Sequence, residues 1–510
     1  MSFATGVDAV KEAARTGSAE SLGEMAAGIG ALVERAAREG SSLRGFEREL
    51  LDRLLQLGHA ATEQFLTLQG NGDLGETAVG DAGRTLYRSD APADRPLRTV
   101  FGRHQFQAYV YRRGPHPHTP IVLRPVDERL GITPEHWSPL VQEFTSLFTV
   151  EQAFEQAAAT FPTIFRQRLS VDTLEQASRR RGAAAGEFLD TLAPPPPDEE
   201  GELLVQTADG QGAPLVTADA AKVKSFEDRP QRPGNRRMAT LAGVYSVDRH
   251  VRTPEEIVAA LFRDLREAET AESSADRPLR PRPCHKRVVA RLPQIVAQTG
   301  ESEPIPGALL ALTWVAREVA QRRRRDQPLL RLMDGQHSLW ETAALCSDAP
   351  ADDVVEILDV VHVSQYVWRA AKVFHTHREH QEAFARERLL RILQGDLRGV
   401  IIGLRRMATQ RGLSGAARKE IAAVCGDFEA HAERMRYDAY LAAGYPIATG
   451  VIEGACRHLV KDRLERSGMR WTLAGAQAML NLRALRQSSY WDEFHTQPTS
   501  TAASPSSLTG

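Results

Sequence analysis

Cysteine is scarce in this chain of 510 residues: there are four, Cys284, Cys346, Cys425 and Cys456, and no two stand in a CxxC spacing. That argues against a disulfide framework and against a thiolate zinc site, and it fits a reducing compartment. Long apolar runs are missing too, none approaching the roughly 20 residues that cross a bilayer, so no membrane role is expected. The first residues, MSFATGVDAVKEAARTGS, carry neither a basic start with an apolar block nor a cleavage site, and the expected location is the cytoplasm. An excess of either charge is the third absence: 64 Lys and Arg against 66 Asp and Glu leave a formal net charge of -2. The molecule as a whole therefore has no general attraction for a polyanion, and such binding has to come from local patches.

Basic residues do cluster, in SRRRG at Ser178 to Gly182, GNRR at Gly234 to Arg237 and QRRRRD at Gln321 to Asp326. Each run reads either as a solvated helix face or as a phosphate contact. The length exceeds the roughly 250 to 300 residues that one core serves, so several domains are expected. Residues 1–95 read as helical, with an amphipathic stretch SLRGFERELLDRLLQLGHAATEQFL. Alternation over 96–133 predicts a β hairpin closed by GPHPHTP. Residues 134–192 turn helical again, and FPTIFRQRLSVDTLEQASRRRG reads as helix, turn, helix, with Ser170 as N-cap and three arginines, Arg179, Arg180 and Arg181, ending the second helix. That pair fits either a DNA-binding helix-turn-helix or an ordinary helical hairpin.

The four prolines within APPPPDEEGE, 193–202, predict an extended spacer. After it, 203–363 reads as strand LLVQTA, Gly-rich turn, edge strand APLVTA, strand MATLAGVYSV, a helical excursion after Thr253, helix, strand LLRLM, short helix and strand VVEILDVVHV. This describes a mixed sheet covered by helices. Helices follow over 364–443, then C-terminal helices over 444–494 and a Ser/Thr/Pro-rich tail, 495–510, expected to be disordered.

Two acids end expected strands and precede glycine, Asp209 in LLVQTADGQG and Asp334 in LLRLMDGQHSLW. A lone Asp-Gly is usually a turn; two such strand ends beside an acid at a helix start can also converge on one face of a sheet. The third acid, Glu453, falls in the first turn of a helix expected over 450–467, where it complements the helix dipole, or where it holds a metal while the cations beyond it bind phosphate. Arg457 and Lys461 follow at i+4 and i+8. A few carboxylates suffice to hold two hard divalent ions, the arrangement that cleaves and transfers phosphodiesters.

The segment YLAAGYPIATGVIEGACRHLVKDRLERSGMRWTLAGAQAMLNLRAL resembles the C-terminal block of bacterial insertion-sequence transposases of the Kra type, a branch of the DDE transposases. TADGQGAP, VYSVDRHVRTPEEIVAALF, MDGQHSLW and EILDVVHVSQYVWRAA resemble that family's earlier blocks in the same order, so the likeness spans about Leu203 to Phe494. The resemblance implies an α+β, multidomain protein: an RNase H-like catalytic core with a helical insertion, preceded by a mainly helical DNA-binding region containing the hairpin. It implies that Asp209, Asp334 and Glu453 are catalytic and hold two Mg2+ (or Mn2+) ions, and that Asp359 and His362 form an accessory D(2)H element. Arg457, Lys461, Arg463, Arg466 and Arg470, with Arg179, Arg180 and Arg181, are the candidate DNA contacts. The implied partners are the terminal inverted repeats of the element, target DNA and further copies of the chain, in the bacterial nucleoid. The rival functions are a nuclease on the same core and a catalytically silent DNA-binding regulator. Family members often carry paired cysteines in the N-terminal hairpin, where this chain has only His116 and His118, so no zinc is expected. Tyr445, Trp340, Trp368 and Trp471 read as packing or base-stacking positions, packing being favoured.

Overall fold

A computed structural model describes residues 4–80, 83–133, 136–223, 234–264, 280–295, 304–466 and 468–496, with side chains from residue 21 onward. These residues form two compact units, one running up to Ala177 and taking in the chain from Asp492, the other Ser178–Trp491. The protein is α+β, with a mixed sheet in the second unit.

In the first unit, helices α1 (Ala4–Glu39) and α2 (Leu43–Leu68) are followed by β1 (Thr77–Val79), β2 (Thr85–Arg88), β3 (Ala93–Thr99), β4 (Gly102–Ala108), β5 (Tyr111–Arg112) and β6 (Ile121–Leu123). The helical reading of 1–95 is corrected at Leu68. The segment after it, QGNGDLG, places Gly70, Gly72 and Gly75 at φ of 72°, 72° and 97°, left-handed conformations that stop a helix and suit glycine. The expected hairpin forms from β3 and β4 and turns at Val100 and Phe101, whereas GPHPHTP joins β5 to β6 instead. Arg95 on β3 reaches Asp127 of α3 (Pro125–Leu130) at 2.6 Å, both side chains buried. Helices α4 (Pro139–Glu151), α5 (Phe154–Phe165) and α6 (Val171–Thr191) follow, and Val100, Trp137, Val141, Phe161 and Leu174 share one core.

Ser170 caps α6 as expected, its Oγ accepting the Thr173 N–H at 3.2 Å. The helix does not end at its arginines: although Gly182 directly follows Arg181, α6 continues to Thr191, crossing the division between the units. Gly182 and Gly186 let it lie close to a later helix, since a Cβ on Gly182 would stand 2.3 Å from the Ala478 carbonyl oxygen.

The second unit is built on a five-stranded sheet of order β11-β10-β7-β8-β9. β7 (Leu203–Pro214), β8 (Arg236–Val247) and β9 (Cys284–Arg291) run antiparallel; β10 (Leu329–Met333) joins β7 in parallel and β11 (Val354–Leu358) joins β10 in parallel. Helices α7 (Thr217–Lys222), α8 (Pro254–Phe262), α9 (Gly307–Arg322) and α10 (His337–Cys346) lie between strands in the chain. Beyond β11 come α11 (Val360–Phe374), α12 (Arg378–Leu393), α13 (Leu397–Gln410), α14 (Gly415–Ala430) and α15 (Tyr437–Ala442), which share a hydrophobic core with the sheet. Then α16 (Gly450–Ala455) runs through a π-helical turn (Cys456–Lys461) into a last α turn (Asp462–Leu464), before α17 (Leu473–Gln487) and α18 (Trp491–Thr496). His495, expected in the tail, lies in α18; residues 497–510 are outside the described part.

Four local expectations change in this unit. LLVQTA and APLVTA are not two strands around a turn: β7 is continuous, paired to β8 from Leu203↔Val247 to Pro214↔Arg236, so the ladder satisfies the backbone of the Gly-rich stretch. β9 is absent from the sequence pattern, because its alternation is masked by Arg287. That side chain is 2% exposed, ion-paired with Glu318 at 3.1 Å, and its Nε donates to the Tyr490 hydroxyl at 3.1 Å. β11 stops at Leu358, and VVHV is helical because the Asp359 side chain accepts the Val361 N–H at 3.1 Å and starts α11. The segment after the prolines is packed rather than free: Glu200 pairs with Arg322 at 2.7 Å with both side chains buried, and Arg324 and Gln327 donate to the Gly201 carbonyl.

Candidate active site

Asp209 lies inside β7 and Asp334 directly follows β10. The two strands pair in parallel through Arg331↔Gln206, and the same register carried three residues further sets Asp334 level with Asp209. Asp334 is held by its own turn: the Gln336 N–H donates to its Oδ1 at 3.0 Å, and the Trp340 indole N–H donates to its carbonyl at 2.7 Å. Asp209 Oδ1 accepts the N–H of Gly210 at 2.6 Å.

Glu453 projects from the first turn of α16, exposed to solvent. What brings α16 to the strand ends is Asp359. That residue is 2% exposed; its Oδ1 accepts the Thr449 N–H at 3.2 Å and its Oδ2 the Thr449 hydroxyl at 2.9 Å. A buried carboxylate with three donors thus fastens the start of α11 to the start of α16, and Thr449 commits its side chain there rather than to capping its own helix.

Asp334 and Glu453 each lie in the fields of both Asp209 and Asp359. Burial raises the pKa of Asp334, against the Gln336 amide that lowers it, and the nearby Asp209 adds to the rise. Partial loss of solvent likewise raises Glu453, with Asp359 and Asp209 as further causes. Asp359 is raised by burial, its three donors opposing.

Cys456 carries no mark in the sequence beyond its scarcity. It stands one turn after Glu453, is 5% exposed, and its thiol donates to Asp209 Oδ2 at 3.1 Å. Burial and then Asp209 push its pKa far above the ordinary thiol range, so it stays a thiol and not a nucleophile. The i, i+3 spacing of Glu453 and Cys456 in EGAC is the one available signal.

His362 is near but turned away. Its Nε2 lies 3.4 Å from Asp427 Oδ2 of α14, its ring packs on Tyr366 at 4.7 Å, and a Cβ on Gly335 would stand 2.4 Å from it. It therefore underlies the Asp334 turn.

Of the candidate DNA contacts, Arg457, Lys461 and Arg470 are exposed, as are Arg179 and Arg180, while Arg181 and Arg466 are half-buried. Arg463 is corrected: it is fully buried, its guanidinium 4.8 Å from the centre of the Trp471 ring, so it packs the core and offers nothing to a backbone phosphate. The π turn also rotates the residues beyond it, so Lys461 does not keep the i+8 alignment with Glu453 of an ideal α-helix. A cleft of about 750 Å³ beside α16 has Arg282, His285, Lys286 and His458 in its lining, together with Gly450 and Gly454, and no carboxylate. Trp340 and Trp471 are buried, at 3% and 7% exposure; Tyr445 and Trp368 pack partly buried against the same core as the sheet.

The donor set suits a hard divalent cation: carboxylate oxygens in mutual repulsion, which a cation would relieve. Among the described residues, the only His, Cys, Asp or Glu group whose ligand atoms all lie within 4.8 Å of one another is His59, Glu63 and His104. Asp209, Asp334 and Glu453 are therefore spread wider than the ligands of one Mg2+, which stand at most about 4.2 Å apart. Comparison with protein-family models and with curated proteins finds no match for this chain.

Proposed function

We propose that this chain is a DDE transposase of the insertion-sequence type, with an RNase H-like core, which cuts DNA at the ends of its own element and joins the freed 3′-hydroxyl to target DNA. The observation that carries the reading is that Asp334 and Glu453, far apart in the sequence, each lie within electrostatic reach of Asp209. The sheet supports the core assignment: three antiparallel strands with the first one central, two parallel strands added on its other side, Asp209 within β7 and Asp334 just past the end of its neighbour β10.

Two divalent ions, when bound, would activate the attacking oxygen and steady the leaving one. Asp209, Asp334 and Glu453 would hold them. The chain's own work is positional. The Gln336 amide and the Trp340 indole hold the Asp334 turn. Asp359 holds the helix that carries Glu453, and the Cys456 thiol orients Asp209. The exposed cations of the π turn and the basic cleft beside α16 would take the phosphates flanking the scissile bond. The helical first unit would recognise the element's ends, and assembly as a homo-oligomer would pair them.

The test is incubation with DNA carrying the inverted repeats that flank the gene, Mg2+ and a target plasmid. Joined products that vanish in Asp209→Asn are the expected result. Nicks without joining would replace the reading with a nuclease, and end binding with neither would replace it with a silent regulator.

A further inference from the structure

The first unit brings together two imidazoles and a carboxylate that the reading above leaves unused. His59 and Glu63 occupy i and i+4 on α2, one helical face, with His59 Nε2 3.3 Å from Glu63 Oε1. His104 comes from β4, and its ring stacks on His59 with centroids 4.3 Å apart and planes at 21°. One ligand atom from each of the three lies within 4.8 Å of the other two.

Helix and hairpin approach this closely because of two glycines. A Cβ on Gly58, mid-way along α2, would stand 2.3 Å from the Phe101 ring. A Cβ on Gly102, at φ +143°, would stand 2.7 Å from His59 Nδ1. A glycine inside a helix costs roughly 0.5 to 1 kcal/mol relative to alanine, so its presence at Gly58 indicates that this contact matters to the fold.

His104 is prepared for a ligand. It is 4% exposed, and its Nδ1 is buried with no hydrogen-bond partner among the described residues. Its Nε2 lies 3.0 Å from Thr99 Oγ1. The Thr99 hydroxyl points to the Gly102 carbonyl at 3.5 Å and accepts the Phe101 N–H at 3.1 Å. With the hydroxyl proton directed to Gly102, Thr99 accepts the His104 Nε2 proton, and the lone pair is left on Nδ1. An outer hydrogen bond that fixes the tautomer of a ligating histidine is the usual companion of a metal site. A buried, unsatisfied nitrogen otherwise costs about 1 to 3 kcal/mol.

We propose that His59, Glu63 and His104 bind one divalent transition-metal ion of the zinc class, which fastens α2 to the β3–β4 hairpin. Two imidazoles and one carboxylate are a known zinc donor set that leaves a fourth position to water. The Glu63 side chain is 58% exposed, so solvent reaches this cluster. Mg2+ takes oxygen ligands and would not choose this site, whereas imidazole selects Zn2+, Ni2+ or Cu2+. The proposal is independent of the carboxylate site in the second unit. The expectation of no zinc rested on the missing cysteines of the hairpin; these ligands lie on a helix and a strand whose spacing in the chain gives no motif.

The test uses the full-length protein, stripped with a chelator, dialysed, and titrated with Zn2+ by calorimetry, with melting curves recorded with and without Zn2+. The wild type is expected to bind Zn2+ in the micromolar range or tighter, and Zn2+ raises its Tm. His59→Gln combined with Glu63→Gln, both partly exposed positions that leave the core intact, is expected to weaken that binding about 100-fold or more and abolish the Tm rise. Thr99→Val keeps all three ligands and removes only the tautomer-fixing partner, so a loss of roughly 10- to 100-fold is expected there. Equal Zn2+ affinity and stoichiometry in the wild type and the double variant would overturn the proposal, as would absence of Zn2+ binding by the wild type.

Discussion

Asp334 is a costly carboxylate in the metal-free protein, and on the proposed function it would hold a metal ion. A carboxyl whose folded pKa is raised binds its proton more tightly folded than unfolded. It therefore favours the fold below the ordinary value of 3.8 and loses that increment as pH rises through the raised value. In chelator at neutral pH, Asp334→Asn is expected to raise the melting temperature while lowering Mg2+-dependent cleavage on the order of 10³-fold; a fall in Tm would show that the repulsion is not felt. Cys456 makes a milder prediction. Its thiol holds one oxygen of Asp209 in place, so Cys456→Ala is expected to raise the Mg2+ concentration needed for half-maximal cleavage about tenfold, read from a metal titration of the nicking rate. The residues that define the site differ in how legible they are. Asp209 and Asp334 stand beside glycines after apolar runs and can be read from the sequence. Cys456 and His104 depend on neighbours distant in the chain, which no local pattern carries, and Arg463, which follows a π turn that the sequence does not announce, is buried against Trp471, eight residues on.

Elements are tied together by buried charge rather than by apolar contact alone. Glu200, Arg322, Glu318 and Arg287 form a chain of ion pairs from the post-proline segment through α9 to β9. Their side chains are at most 2% exposed, and removing one member leaves the others uncompensated. Glu318→Ala is expected to cost about 3 to 5 kcal/mol, measured by urea denaturation. Asp359→Ala leaves the Thr449 amide and hydroxyl without their acceptor; a loss of about 2 to 4 kcal/mol is expected, together with loss of cleavage because Glu453 is no longer held. The same buried charges explain which elements the sequence conceals. β9 opens with CHKR, which reads as solvent-exposed until Glu318 is known to lie under Arg287. β7 looks broken at its glycines because the partner that closes its ladder, β8, begins more than twenty residues later. β10, α9 and the helical block, whose apolar periodicity is local, are legible at nearly their observed bounds.

For the molecule as a whole, the shared helix α6 decides where the chain can be divided. It belongs to both units and seats Gly182 and Gly186 on α17. A fragment of residues 171–491 keeps α6 whole and retains Glu200; it is expected to fold and melt cooperatively. A fragment of residues 203–491 loses the partner of Arg322 and the helix against α17, and is expected to melt lower by an amount equivalent to at least about 3 kcal/mol, checked by circular dichroism.

Because Glu453 follows the helical block α11–α15 in the chain, the third acid is made last. A ribosome has to complete the sheet, both aspartates and five further helices before the glutamate can reach them. On the proposed function, products that stop short of α16 lack the third acid, and cutting capacity would arrive only once that helix has been made.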